Sequence, residues 1–262
     1  MGVWVELLLV VSAVVALRGA WSPCGLSMLS TVTPMAERSR GTHFRWTATW
    51  FILGATLGGF ALGIPCAAAA GLVRAAGVPA VARLVLAGVL ALYAAACDAR
   101  VRRCRVPLRP RQVDERWVGH LRPWAYGAGY GAQVGVGLAT YVMTAGVYLL
   151  IALCALSGSP SVALAACTLF GVTRGLCILL GARITDVASL SAVHRRLESL
   201  APASLTACVT VELAVVVASG AELWGALGAA LALLAAAPVA VRAVAGTRRV
   251  RNGVTIGTTP VT

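Results

Sequence analysis

Apolar runs of about 20 residues recur along the whole chain, and they constrain its fold more than any other feature. Of the 262 residues, 59% are hydrophobic and only 12% are charged, which is about half the charged fraction of a soluble domain. A helix needs about 20 apolar residues to cross a bilayer. The sequence therefore predicts an all-α polytopic membrane protein without a separate soluble domain.

Seven membrane spans are predicted from these runs. The first and the fourth are too long for one straight crossing, and Pro23 and a glycine-rich stretch at 127–137 predict that both are interrupted near mid-membrane. Irregular backbone at that depth is tolerated only where it is buried in protein or faces water. The predicted spans are Val3–Met35, Thr47–Val73, Val78–Ala99, Trp124–Leu156, Ser161–Ala182, Ser204–Ser219 and Leu223–Val244.

The basic residues predict how the spans are oriented. The net charge is +13, and the arginines concentrate in alternate loops and in the C-terminal tail, as topology signals do. This pattern predicts a multi-pass cell-membrane protein with its N-terminus outside and its C-terminus in the cytoplasm, in contact with lipid and not with nucleic acid. Glu6 is the only charge before Leu7, so we expect a retained first helix rather than a cleaved signal peptide.

Two blocks of sequence recur with an offset of 112 residues. Arg18–Leu26 aligns with Tyr130–Leu138, and Thr56–Gly63 with Thr168–Gly175, each with four identities. Three spans in each half make the two halves inverted relative to each other, with the seventh span as an addition. The predicted units are a first repeat at 1–112, a second repeat at 113–220, an extra helix at 221–245 and a disordered basic tail at 246–262.

A cysteine beside a helix-breaking proline is the leading candidate for chemistry. Pro23 removes a backbone donor next to Cys24, and Gly25 permits close approach of a helix or partner. With Ser22, these residues would present the Cys24 thiol to a water-accessible cavity; the alternative is that Cys24 only fills space. None of the eight cysteines has metal-ligand spacing, so no metal site is predicted.

Three ionisable residues fall inside predicted spans: Arg18, Arg174 and Glu212. Such groups are costly in a membrane and usually face a cavity or pair with one another. One interpretation is an anion or proton site, or a positive environment that activates Cys24. The alternative is that they reach the interface or form a structural ion pair.

Ser22-Pro23-Cys24, in the first span of a predicted inverted three-plus-three repeat, resembles the CcdA/DsbD transmembrane family. The resemblance implies transfer of reducing equivalents from cytoplasmic thioredoxin to an extracytoplasmic thioredoxin-like protein, in support of cytochrome c biogenesis. It implies thiol–disulfide exchange between a cysteine of the first span and one of the fourth, with no other cofactor.

The second cysteine of that family is missing here. The repeat places Val136 at its position and Gly135 at that of the proline, so the chain resembles a degenerate member of the family. Cys66 and Cys177 are the alternative partners for Cys24. The rival function is a redox-inactive transporter of a small solute or ion past the buried charges, or a membrane scaffold whose arginine-rich loop at 100–122 docks on a neighbouring enzyme or on anionic lipid.

Overall fold

The computed structural model describes residues 2–101 and 121–254, and this part of the chain is helical without strands. The predicted all-α fold is confirmed, and five helical segments are long and apolar enough to cross a membrane. Residues 102–120 and 255–262 lie outside the described residues, as does the docking role predicted for the arginine-rich loop. The helices are α1 (Gly2–Arg18), α2 (Pro23–Thr31), α3 (Pro34–Ser39), α4 (Phe44–Ala75), α5 (Ala80–Asp98), α6 (Pro123–Val136), α7 (Gly146–Leu156), α8 (Pro160–Leu176) and α9 (Val187–Val254).

The first predicted span is interrupted between α1 and α2. A short 3-10 turn, Gly19–Trp21, follows α1, and Ser22 then adopts an extended conformation. The Ser22 side chain accepts a hydrogen bond from the Gly25 backbone N–H at 3.1 Å, and Pro23 stands at the first helical position, where no backbone donor is needed. Ser22 and Pro23 therefore have a structural role, because they start α2 and place Cys24 in its first turn.

The fourth predicted span is interrupted between α6 and α7. Helix α6 ends at Gly137, whose φ of +72° lies in the left-handed region that favours glycine. The chain is then non-helical until α7 begins at Gly146. Both interruptions were expected from the proline and from the glycine-rich stretch.

Helix α9 consists of two arms. The helix has non-helical backbone angles at Trp224 and Gly225, a few residues after the predicted boundary between spans six and seven. The arms pack closely beside this kink, since a Cβ on Gly220 would lie 2.5 Å from the Gly228 carbonyl oxygen. The first arm begins at Val187, so the segment 185–200, predicted as either a surface helix or a loop, is largely helical. The second arm continues to Val254, into the segment for which the sequence predicts a disordered tail.

Contacts at the two ends of the molecule show how the chain passes between them. At one end the Met35 N–H donates to the Ile184 carbonyl at 3.1 Å, which joins the start of α3 to the segment between α8 and α9. At the other end Arg83 Nη1 donates to the Ser157 carbonyl at 3.4 Å, which joins the start of α5 to the end of α7. The order of spans that the sequence predicts would place these two contacts on opposite sides of the membrane.

The two halves of the chain meet where α4 crosses α8. Gly59 and Gly171, which are equivalent in the predicted repeat, touch each other, since a Cβ on Gly59 would lie 2.7 Å from Gly171 Cα. Their neighbours are also reciprocal, as expected when a two-fold axis relates two surfaces. Gly63 lies against Leu164 and Cys167, and Gly175 lies against Ile52 and Ala55, which are the equivalent residues at the offset of 112.

Candidate functional site: two buried cysteine centres

Arg174 occupies the space between the two interruptions. It lies near the end of α8 and is only 4% exposed. A Cβ on Gly19, in the first interruption, would lie 2.8 Å from the guanidinium carbon, and one on Gly137, in the second, would lie 3.7 Å from Nη1. The guanidinium also stacks 5.5 Å from the centroid of the Phe170 ring. The absence of a side chain at Gly19 thus creates room for the Arg174 guanidinium, and its absence at Gly137 creates room for the Phe170 ring, from which a Cβ would lie 2.7 Å.

Two thiols lie around this guanidinium, and we call Cys24, Arg174 and Cys177 the Arg174 centre. Arg174 interacts electrostatically with both thiols, and both cysteines are buried. Helix α2, which carries Cys24, packs against the 3-10 turn that begins at Cys177. The Tyr130 hydroxyl donates a hydrogen bond to the Cys24 carbonyl at 3.2 Å. The fold therefore places Arg174 beside Cys24 and beside Cys177, one of the two cysteines that the sequence analysis offered as partners for Cys24.

The ion pair considered for Arg174 and Glu212 is absent from the described part of the chain. There, the salt bridge that forms is the one between Arg40 and Glu37, at 2.9 Å. Arg174 is therefore a buried cation without a carboxylate partner among the described residues. This arrangement suits an anion or a negatively charged sulfur.

The structure does not bring Cys66, the other predicted partner, to Cys24. The Cys66 thiol is hydrogen-bonded with that of Cys167, and Cys167 Sγ lies 3.8 Å from Cys154 Sγ. All three belong to the main apolar core, where cysteine acts as a small hydrophobic side chain. The expectation that Cys66 pairs with Cys24 is therefore not supported by the packing.

A second centre, of opposite charge, lies where α5, α7 and α9 meet, and we call Asp98, Cys208 and Glu212 the Asp98 centre. Cys208 Sγ lies 3.7 Å from Asp98 Oδ2 and 3.8 Å from Glu212 Oε1. The three donor atoms are all within 4.8 Å of one another. Cys208 and Glu212 have no exposed surface and are four residues apart on α9, so they face the same side of the helix.

Asp98 is held in place by the start of α7. Its Oδ1 accepts the Ala145 N–H at 2.7 Å, and its Oδ2 accepts the Thr144 hydroxyl. The carboxylate therefore caps the N-terminus of α7 from another helix, where the helix dipole favours negative charge. Sequence analysis missed Asp98 because it ends a predicted span and lies 110 residues from Cys208.

Arg18 belongs to the Asp98 centre rather than to Cys24. It interacts electrostatically with Cys208 and Asp98, while its Nη1 donates to the Ser204 hydroxyl at 2.6 Å and to the Ala201 carbonyl at 3.3 Å. A cavity of about 630 Å³ opens beside it, with Asp98 among the lining residues. Of these two arginines, Arg174 is therefore the one that interacts with the Cys24 thiol.

A buried acid that the sequence did not indicate lies in α3, between the first two spans. Glu37 has no exposed surface and accepts hydrogen bonds from Thr42, Thr47, Tyr126 and Arg40, at 2.6, 2.6, 2.5 and 2.9 Å. Burial acts to raise the pKa of Glu37, but these hydrogen bonds and the Arg40 charge outweigh it and lower the pKa. A carboxylate with this many partners holds structure rather than binding a ligand.

Comparison with known proteins finds relatives that are named methylamine utilization proteins. The chain is 32% identical over 162 residues to the methylamine utilization protein MauF of Paracoccus versutus, an alignment that covers 61% of this chain and 59% of the relative. It is 32% identical over 174 residues to MauF of Methylorubrum extorquens, covering 65% and 60%. It is 29% identical over 172 residues to MauF of Methylophilus methylotrophus, covering 65% and 60%. The chain thus spans about 60% of the length of these relatives.

The resemblance to the CcdA/DsbD family is wrong, because the curated relatives bear the name MauF. No family model matches the chain, and no solved structure matches it. The thioredoxin partners and the role in cytochrome c biogenesis came with that resemblance, and they lose their basis with it. The function of this multi-pass, all-α membrane protein must therefore be inferred from the geometry of its two buried centres.

Proposed function

We propose that this chain is a membrane protein that supports methylamine utilization and that its working group is the Cys24 thiol beside Arg174. The first part rests on the similarity to proteins named for that process. The second rests on one observation: a buried guanidinium without a carboxylate partner in the described chain lies between the two helix interruptions, together with the thiols of Cys24 and Cys177.

The chemistry that suits this centre is thiol–disulfide exchange. The Cys24 sulfur attacks a disulfide of a partner protein, forms a mixed disulfide and releases one partner thiolate. Cys177 then attacks the mixed disulfide, so that Cys24 and Cys177 become a disulfide and the partner becomes a dithiol. Two electrons and two protons pass to the partner, and Arg174 stabilises the negative sulfur that forms in each step.

A second function, the carriage of an anion, is favoured by the same unpaired charge. A buried guanidinium can hold a carboxylate or phosphate through two parallel hydrogen bonds. Interrupted helices that meet in the membrane are where carriers built from repeats bind their cargo. In this alternative Cys24 is a packing residue and Arg174 alone is essential.

The proposal can be tested by the growth of cells in a medium in which they depend on methylamine as a nutrient. A strain that lacks the gene would be complemented with the wild type, Cys24→Ser, Arg174→Gln or, as a matched control, Cys154→Ser, which changes a buried core cysteine. The thiol proposal predicts that Cys24→Ser abolishes growth and that Cys154→Ser does not. Anion carriage predicts growth with Cys24→Ser and none with Arg174→Gln. Growth of the deletion strain itself would reject the link to methylamine.

Alkylation of acid-trapped cells then tests the exchange chemistry. A disulfide between Cys24 and Cys177 should appear in the wild type and be lost in Cys24→Ser and in Cys177→Ser. The same disulfide should persist in Cys66→Ser, because the Cys66 thiol lies against Cys167. If Cys24 remains a free thiol in growing cells, the exchange mechanism is excluded.

We further infer that the end carrying most of the arginines is cytoplasmic, which places the N-terminus outside and the C-terminus inside. Arg100 and Arg242 line one pocket at this end, and Arg38 and Arg45 line another, in accord with the positive-inside rule. The units 1–112 and 113–220 are then two inverted repeats. Reporter fusions at the N-terminus and after residue 245 test this orientation.

A further inference from the structure

We propose that Asp98, Cys208 and Glu212 bind a divalent transition-metal ion of the zinc and cobalt class. One sulfur and two carboxylate oxygens are a donor set that such borderline ions accept. The residues come from two helices that are far apart in sequence, and their donor atoms converge within 4.8 Å. The site is separate from the Arg174 centre, and the proposal does not depend on the function proposed for Cys24.

The distances between the donor atoms fit a tetrahedral ion. With metal–sulfur bonds of about 2.3 Å and metal–oxygen bonds of about 2.0 Å, a sulfur and an oxygen ligand lie about 3.5 Å apart. Cys208 Sγ lies 3.7 Å from Asp98 Oδ2 and 3.8 Å from Glu212 Oε1. Both sulfur–oxygen distances therefore exceed the tetrahedral value by about 0.3 Å or less, and all three donor atoms lie within 4.8 Å of one another.

Glu212 provides the second observation, which is independent of the clustering. Its Oε2 is buried and has no hydrogen-bond partner in the described part of the chain, although the residue has no exposed surface. Leaving a buried carboxylate oxygen without a partner is costly, and native proteins rarely do so without a functional reason. A metal ion bound by both oxygens of the Glu212 carboxylate, rather than by Oε1 alone, would satisfy it.

Binding of a divalent ion would also balance the charges at the site, because the ion takes the place of the protons that the ligands release. With the Cys208 thiol deprotonated, the three ligands carry three negative charges, and Arg18, which interacts with Cys208 and Asp98, contributes one positive charge. A divalent ion would bring this group to neutrality. Arg18 does not take its place, because Nη1 is hydrogen-bonded to Ser204 and Ala201.

The cavity beside the site gives an ion a route to it. Asp98 and Thr144 line this cavity of about 630 Å³, and the Cys208 sulfur contacts both of them, at 3.7 and 3.2 Å. Three protein ligands leave the fourth tetrahedral position open, as in sites whose ion reacts or exchanges rather than only holding the fold. That position would face the cavity.

Cobalt binding to the full chain in detergent tests the proposal. After chelator treatment, titration with Co²⁺ should give one equivalent bound per chain and the absorption band of a thiolate bound to cobalt, and Zn²⁺ should displace it. Cys208→Ser should remove the band. Asp98→Asn and Glu212→Gln should weaken Co²⁺ binding at least tenfold. Cys167→Ser, which changes a buried cysteine of the other thiol cluster, should leave both band and affinity unchanged.

Three outcomes with the wild type, Cys208→Ser and Cys167→Ser would overturn the proposed metal site. Absence of the band in the wild type overturns the proposal, as does a band that survives Cys208→Ser or disappears in Cys167→Ser. Because Cys208 is buried and its replacement can disturb folding, Glu212→Gln is the decisive variant. It should elute as a folded monodisperse species and still show the weakened binding. Full affinity in a folded Glu212→Gln variant would show that the ion binds elsewhere.

Discussion

Glu37 and Glu212 are both fully buried glutamates, and they differ in how their carboxylates are surrounded. Glu37 accepts hydrogen bonds from three hydroxyls and from Arg40. Glu212 has the Cys208 thiol at 3.8 Å on one oxygen and no partner in the described chain on the other. Burial alone therefore does not distinguish a structural acid from a binding site. The distinction is the number of carboxylate oxygens that have a hydrogen-bond partner.

The largest effect on stability is expected at Glu37. Glu37→Gln replaces a charged acceptor with a neutral amide, which loses charge-assisted hydrogen bonds and leaves Arg40 without its carboxylate. We expect a loss of about 3 kcal/mol in the free energy of unfolding, seen as a lower melting temperature in detergent. Glu198→Gln, at an exposed position of α9, is the control and should change stability by less than about 0.5 kcal/mol. Equal melting temperatures for the two variants would contradict a structural role for Glu37.

A smaller effect is expected from pH. The folded state lowers the pKa of Glu37, so the Glu37 carboxylate binds a proton more tightly in the unfolded chain. The ionised carboxylate therefore stabilises the folded state fully above the ordinary glutamate pKa of about 4.3. This stabilisation is lost as the pH falls from that value through the lower pKa of the folded state. Melting curves across this acidic range should therefore converge for the wild type and Glu37→Gln. A difference between them that stays constant with pH would show that the carboxylate charge is not involved.

The smallest effect is expected at Glu212 in the metal-free protein. Glu212→Gln replaces a buried carboxyl group that lacks a full set of partners with an amide of the same shape, so we expect the variant to be as stable as the wild type or more stable by about 1 kcal/mol. Thermal unfolding in the presence of chelator measures this difference. A destabilisation as large as that of Glu37→Gln would show that Glu212 holds structure, and the contrast between the two acids would disappear.

Much of the fold follows from local signals in the sequence. The lengths of the apolar runs predict the all-α membrane fold, and the helix-breaking action of Pro23 and the tendency of glycine to end helices predict both interruptions. The kink of α9 at Trp224 and Gly225 lies close to the predicted boundary because small residues there weaken the hydrophobic run. These features can be predicted without a structure because they depend on residues that are neighbours in the sequence.

The two centres were only partly predictable, because they depend on contacts between distant residues. Cys24, Cys177, Arg174, Arg18 and Glu212 were each noticeable as a reactive or charged group within an apolar span. Whether a residue belongs to the Arg174 centre or to the Asp98 centre depends on which helix faces meet. The spacing of residues along the sequence does not reveal this. Asp98 and Glu37 were missed because an acid at the end of a span or in a loop is expected to be solvated.

The crossing of α4 and α8 has a consequence for the order of synthesis. In the described part of the chain, the small residues of α4, such as Gly54 and Gly59, form a groove against which α6 and α8 pack, and both helices follow this groove by more than 60 residues. When α4 leaves the ribosome, this groove has no protein partner and must be occupied by lipid or by the insertion machinery. The first half therefore cannot complete its packing until the second half has been inserted, and neither half is expected to be a stable protein by itself.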